Sequence, residues 1–131
     1  MIGLDTNILV RFLTQDDPHQ SAIASEIFER RLTEQDPGFV SIVAIAETAW
    51  VLERSYGVRR EEIAVVIERV LQTENLVVEN EQAVFTAMVA VKAGLGVFAD
   101  ALIGALGAAA GCEATLTFDR KALRLPGFAQ P

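Results

Sequence analysis

Apolar positions along the chain alternate between short continuous runs and longer stretches with helical spacing. Met1 to Leu4 is such a run and reads as a buried first strand. Asn7 then reads as the cap of a short helix carrying Ile8, Leu9, Phe12 and Leu13. Pro18 opens a second helix, in which Ala22, Ile23, Ile27 and Phe28 form one apolar stripe. Gly38 to Val40 predicts a second strand. Ser41 is a good cap for a helix running to about Arg54, which Gly57 closes. Arg59 to Leu71 predicts another helix, with Ile63, Val66, Ile67 and Val70 on its inner side. Leu76 to Val78 reads as a third strand, and Asn80 caps a helix to about Lys92. After a loop at Gly94 and Gly96, a helix of small residues runs from Phe98 to Ala110. Ala114 to Thr117 is the fourth strand, and the tail ends at Pro126-Gly127-Phe128. Strands alternating with helices imply an α/β fold with a largely parallel sheet. No linker or repeat divides it, so a single domain over residues 1–131 is expected.

The Phe98 helix is unusual. Asp100, Gly104, Gly107 and Gly111 fall on one stripe, although each interior glycine costs roughly 0.8–1 kcal/mol relative to alanine. Such a stripe makes sense where a backbone must approach closely, against the sheet or a neighbouring helix, and Asp100 would share that inward face. The apolar run Val97 to Gly111 spans about 15 residues and contains Asp100. That is short of the ~20 residues needed to cross a bilayer. With no basic leader at the start, a soluble cytoplasmic protein is the expectation.

Composition narrows the function classes. A hydrophobic share of 51% and mean hydropathy of +0.32 exclude disorder. One cysteine, Cys112, excludes an internal disulfide, and no Cys/His cluster suits zinc. Eighteen acids against eleven bases leave −7, which argues against passive binding to a polyanion.

Most of the acids sit in plainly solvated settings such as Asp16-Asp17, Glu61-Glu62 and Glu34 to Asp36. Glu79, after the run LVV, reads as a helix-start acid beside Asn80. Four acids break the pattern. Asp5 follows the strand IGL, and Asp119 follows the strand ATLTF. Glu47 lies in SIVAIAETAWVL, a helical run apolar almost all round, and therefore calls for a buried partner. Asp100 lies in VFADALIGAL. Each has an ordinary role open to it: Asp5 as a helix cap, Asp100 in a first helical turn, Asp119 in a turn. Together they share an address, because ligand sites in open parallel sheets lie beyond the carboxyl ends of the strands. Four carboxylates gathered there need a cation, and hard oxygen donors select Mg²⁺ or Mn²⁺. Metal-assisted phosphodiester cleavage is the chemistry that uses such a set.

Three strings carry a resemblance: LDTNILVRFLTQDDP, PGFVSIVAIAETAWVLERSYG and FADALIGALGAAAGCEATLTFDRKALRLPGF. They resemble a PIN-domain ribonuclease of the VapC toxin type, over essentially the whole chain. LGVFAD departs from the pattern, since relatives more often place a polar or acidic residue before Phe-Ala-Asp. The resemblance implies a three-layer α/β/α domain with a short, mainly parallel central sheet of about four to five strands. It implies a divalent-metal-dependent endoribonuclease, the toxin of a toxin–antitoxin pair, using Mg²⁺ or Mn²⁺. The family's acidic quartet falls on Asp5, Glu47, Asp100 and Asp119, with Asn7 and Thr117 at supporting polar positions. The partners it implies are a cognate antitoxin and a structured RNA such as tRNA.

Phosphate contacts come from local cations rather than net charge, and the candidates are Arg11, Arg59, Arg60, Arg120, Lys121 and Arg124. Two other readings compete. A haloacid-dehalogenase-like phosphatase also places an Asp after its first strand, but it wants a second Asp where Asn7 stands, and Lys92 is its sole candidate lysine. A catalytically silent interaction module would present Phe12, Phe28 and Trp50 to a partner. Large apolar residues around Phe12 and Leu13, Ile27 and Phe28, and Val51 and Leu52 exceed what one small sheet covers. They are expected to support a homodimer and an antitoxin segment combining apolar anchors with an Arg.

Overall fold

The computed structural model spans residues 1–131. Five short strands and six helices alternate along it: β1 (Ile2–Gly3), α1 (Thr6–Thr14), α2 (Pro18–Glu26), β2 (Gly38–Val40), α3 (Ile42–Tyr56), α4 (Arg60–Leu71), β3 (Leu76–Val78), α5 (Glu81–Lys92), α6 (Phe98–Ala109), β4 (Thr115–Leu116) and β5 (Phe128–Ala129). A π-helical turn, Ile27–Arg31, extends α2, and a 3₁₀ turn, Ala122–Arg124, precedes β5. All pairings are parallel. β1, β2 and β3 lie side by side in that order, with Ile2 opposite Gly38 and Val40 opposite Val78. β4 and β5 form a separate ladder, Thr115 opposite Phe128. The tail beyond Gly127 is therefore a fifth strand, where the sequence pattern ended in coil. A two-residue strand is below the length at which periodicity is readable.

Helix ends follow local chemistry. Pro18 stands in the first turn of α2, and Asp17 caps it by accepting from the Gln20 N–H at 3.0 Å. Ser41 caps α3 through the Ala44 N–H, and Gly57 closes it in the left-handed region (φ 64) that glycine adopts without strain. Glu79 differs from expectation: its carboxylate accepts the Ile42 N–H at 2.8 Å, stabilising the N-terminus of α3 rather than that of α5.

The core is a cluster of 23 buried residues centred on Leu9, Ile45, Leu52, Ile63, Ile67, Met88 and Phe98. In α4 the inward residues are the expected ones, although Val66 is only half-buried. In α2 the stripe is rotated: Ser21, Ala24 and Phe28 are buried, whereas Ala22 and Ile23 are exposed. Small residues at Ser21 and Ala24 let α2 pack closely along α1, and Phe28 then stacks on Phe12 at 4.0 Å. Consequently Phe12, Phe28, Leu13, Ile27, Val51 and Leu52 are largely covered within the chain. The exposed large apolar side chains lie elsewhere, chiefly Val43 and Trp50 on α3, Phe85 and Val89 on α5, Ile103 on α6, and Leu116 and Phe118. No helix is long and apolar enough to cross a membrane.

The small-residue stripe of α6 acts as expected at its centre. A Cβ on Gly104 would stand 2.7 Å from the Phe128 ring, and one on Gly107 would stand 2.6 Å from the Thr115 hydroxyl. Close approach of α6 to the β4–β5 ladder thus requires glycine, and it carries Asp119 toward Asp100. Gly111 lies beyond the helix and meets nothing.

Candidate functional site

The candidate acids sit in two clefts. The first opens where β1 gives way to α1. Asp5 is extended (φ −82, ψ 162) and caps α1, accepting the Thr6 N–H at 2.8 Å. Asp5 rather than Asn7 fills this role, since Asn7 is already inside the helix. The cap occupies Oδ1 and leaves Oδ2 for another partner. Thr6 is buried, and its hydroxyl donates to Glu47 Oε1 across from α1 to α3. Asp5, Thr6, Asn7, Arg11, Glu47 and Tyr56 contribute to a cavity of about 380 Å³.

Glu47 was expected to be buried, and it is exposed. The reason is the face that α3 turns to solvent: Val43, Glu47, Trp50 and Arg54, at steps of four, three and four, are all exposed. The Arg54 guanidinium lies over the Trp50 ring at 5.3 Å and shields part of it. Glu47 therefore needs no buried cation, and the Thr6 hydroxyl is the partner it has.

Arg11, at the edge of this cleft, is firmly held. Its Nε donates to Gln20 Oε1 at 2.7 Å, and Nη1 donates to Asp16 Oδ1 at 3.3 Å and to the Tyr56 hydroxyl at 3.0 Å. That hydroxyl donates onward to Asp16 Oδ2 at 2.7 Å. Tyr56, with help from the Thr14 hydroxyl and the Arg11 charge, holds the Asp16 carboxyl below the usual carboxylate range. The sequence pattern placed Asp16 among the solvated acids. Thr14 is two residues away, but Arg11 and Tyr56 lie five and forty residues away, so no local spacing marked that pair.

The second cleft joins α6 to the segment after β4. Asp100 is in the first turn of α6, half-buried, and accepts no hydrogen bond from the chain. Burial raises its pKa, and the nearby charge of Asp119 raises it further. The Asp119 N–H donates to Thr117 Oγ1 at 3.0 Å, and Asp119 Oδ1 accepts the Lys121 N–H at 2.9 Å. Thr117 thus supports Asp119 through its backbone, whereas Asn7 only lines the first cleft. Asp100 and Asp119 border a cavity of about 360 Å³ together with Arg60, Lys121 and Arg124.

The four acids are not drawn into one cluster. No three His, Cys, Asp or Glu side chains are arranged to hold an ion together. Asp5 and Glu47 form one pair and Asp100 and Asp119 the other, with α3 touching both α1 and α6 between them.

Residues 2–127 match the PIN domain. The chain belongs to the PIN-domain family. Among curated proteins, none matches it. PIN domains are generally nucleases that use divalent metal ions such as Mg²⁺, and their fold is the six helices and small parallel sheet seen here. Membership sets the phosphatase alternative aside, and Lys92 agrees, since it pairs with Glu68 at 3.3 Å.

The residues of this PIN domain fit a hard cation in type. All four candidates offer carboxylate oxygens, and none has a cationic partner, because the five ion pairs use Asp36, Asp16, Glu26, Glu62 and Glu68. Burial first, and then the like charge of Asp119, raises the Asp100 pKa, and neither carboxylate has a basic partner in an ion pair.

Proposed function

We propose that this PIN domain is a divalent-metal-dependent endoribonuclease and the toxin of a toxin–antitoxin pair. The observation that carries the reading is the Asp100–Asp119 pair: two carboxylates on one cleft, one half-buried and neither ion-paired, where the start of α6 meets the segment after β4. Asp100 and Asp119 would hold Mg²⁺ or Mn²⁺, and Asp5 and Glu47 form a second acidic pair in the other cleft. A cation so held lowers the pKa of an attacking water and stabilises charge on the leaving oxygen.

The chain's own groups have separate tasks. Thr6 restricts Glu47 to one orientation, so the carboxylate does not have to be ordered when RNA arrives. Asp5 is fixed by its cap, which uses Oδ1 and leaves Oδ2 without a bond to the chain. Thr117 fixes the turn that carries Asp119. Asp100 holds a proton more readily than an ordinary carboxyl, and a bound cation would favour its ionised form instead.

The toxin role rests on the family resemblance and on surface chemistry. The chain exposes 7777 Å², against ~6,800 Å² for a typical monomer of its mass. Exposed Val43, Trp50, Phe85, Val89 and Ile103 add apolar area suited to a homodimer face and an antitoxin segment. An antitoxin Arg set against Asp5 and Glu47, or Asp100 and Asp119, would supply the charge these acids lack.

The test is RNA cleavage by the purified chain with Mg²⁺ or Mn²⁺ and with EDTA. Cleavage that requires the ion and disappears in Asp100→Asn supports the nuclease reading; cleavage unchanged in a folded Asp100→Asn overturns it. Co-expression with the operon neighbour tests the toxin role. A dimer by light scattering, silent until the neighbour is removed, supports it, whereas a monomer equally active in both preparations rules it out.

A further inference from the structure

Eleven residues are Lys or Arg. Arg11, Arg30, Arg59 and Lys92 are in ion pairs, and Arg54 and Arg69 lie over aromatic rings. That leaves Arg31, Arg60, Arg120, Lys121 and Arg124 without either kind of partner. Arg60, Lys121 and Arg124 line the Asp100–Asp119 cleft, and Arg120 directly follows Asp119. Arg31, in the π-helical turn after α2, is the exception. In a chain with eighteen acids, uncommitted cations are easily neutralised, so their concentration at one cleft is informative. Arg60 starts α4, while Lys121 and Arg124 belong to the turn before β5, so folding brings them together from distant segments. Arg60 does moderate the charge of Glu53, whose pKa burial raises, but it forms no ion pair with it.

Phe118 adds an independent observation. It is 94% exposed, more than any other large apolar side chain, and it stands directly before Asp119. The hydrogen bond from the Asp119 N–H to Thr117 Oγ1 ties the backbone on either side of it. A ring held in water on a fixed turn contributes nothing to the core. Its flat face suits an unstacked nucleobase, and the cations of the cleft that its neighbour Asp119 borders suit the phosphates of the same strand.

We propose that Arg60, Lys121 and Arg124 hold the phosphates of the RNA strand on the Asp119 side and that Phe118 stacks one of its bases. The proposal rests on the ribonuclease reading and assigns the strand to one cleft. The Asp5–Glu47 cleft offers only Arg11, whose charge already serves Asp16. A duplex would keep the phosphate contacts and lose the stacking, because its base faces are covered.

Fluorescence anisotropy with a labelled single-stranded RNA and with its duplex tests this. All binding variants carry Asp100→Asn so that the RNA stays intact, and circular dichroism confirms that each is folded. Replacing Arg60, Lys121 and Arg124 together by Gln should weaken single-strand binding more than tenfold and flatten its log K against log salt slope by about 2, at ~0.7 per phosphate. Arg31→Gln, which removes a charge elsewhere, should change neither. Phe118→Ala should weaken single-strand binding by about five- to hundredfold and leave duplex binding alone, with Phe118→Trp restoring it. An unchanged slope in the triple variant overturns the phosphate assignment. Full single-strand affinity in Phe118→Ala, with a fall in molar mass by light scattering, overturns the stacking assignment and makes Phe118 a protein contact. A chain without Asp100→Asn that never cuts RNA with Mn²⁺, while these binding differences hold, removes the ribonuclease reading and leaves strand binding standing.

Discussion

In the Asp5–Glu47 cleft every charged group already has a partner, whereas in the Asp100–Asp119 cleft Asp119 takes only the Lys121 N–H and the other charges stand uncommitted. Asp5 serves as a helix cap, Glu47 takes the Thr6 hydroxyl, and Arg11 is divided among Asp16, Gln20 and Tyr56. Across α3, Asp100 accepts no hydrogen bond, and three cations line the same cavity without pairing. Internal satisfaction makes a frame, because groups that bond one another hold their geometry without a ligand. Uncommitted charge makes a receptor, because it gains most when a ligand arrives.

The contrast is broken most severely at Asp100. Asp100→Asn should lower RNA cleavage by on the order of a hundredfold or more, since it would remove a carboxylate that holds the charge-stabilising cation and leave shape intact. Single-turnover kinetics measure this, and Asn7→Ala, on the frame side, should have a much smaller effect. Next comes packing beneath the receptor side. Gly104→Val would drive a branched side chain into the Phe128 ring and should cost about 2 kcal/mol in a denaturant melt. Cleavage should fall with it, because β5 carries the ladder that positions Asp119.

Thr6→Val tests the frame itself. It removes the hydroxyl from Glu47 and should cost about 1 kcal/mol, since the exposed carboxylate is free to take water instead. The smallest effect is in pH dependence, and it has opposite sign in the two regions. Asp100 titrates higher folded than unfolded, so the metal-free protein gains stability as pH falls through that raised value. Asp100→Asn should remove this gain, and Mg²⁺ should suppress it. Asp16 titrates lower folded than unfolded, so its contribution is present above the ordinary carboxylate range and lost as pH falls through the depressed value. Tyr56→Phe should weaken that loss. Thermal melts from pH 3 to 7, with and without Mg²⁺, separate the two.

Signals carried within a few residues were legible along the chain. Strands at Gly38–Val40 and Leu76–Val78, the Ser41 cap, the Gly57 stop and the Asp5, Asp100 and Asp119 positions depend on runs, caps and strand ends. The α6 glycine stripe was readable too, because interior glycines carry a cost that only close packing offsets. Burial around α2 and α3 was not. Apolar residues on every side of α3 left its orientation open, so Glu47 looked buried, and small Ser21 and Ala24 concealed the inward face of α2.

By itself, the sequence determined an alternating α/β chain of the PIN-domain family with four acids at recurring structural positions. Those features are local, since each follows from neighbours a turn or a strand away. Only the tertiary structure decided that the acids fall into two pairs, that Thr6 meets Glu47 across 41 positions, and that Arg60 joins Lys121 and Arg124. Which charges remain uncommitted depends on distances between segments, and folding alone sets those distances.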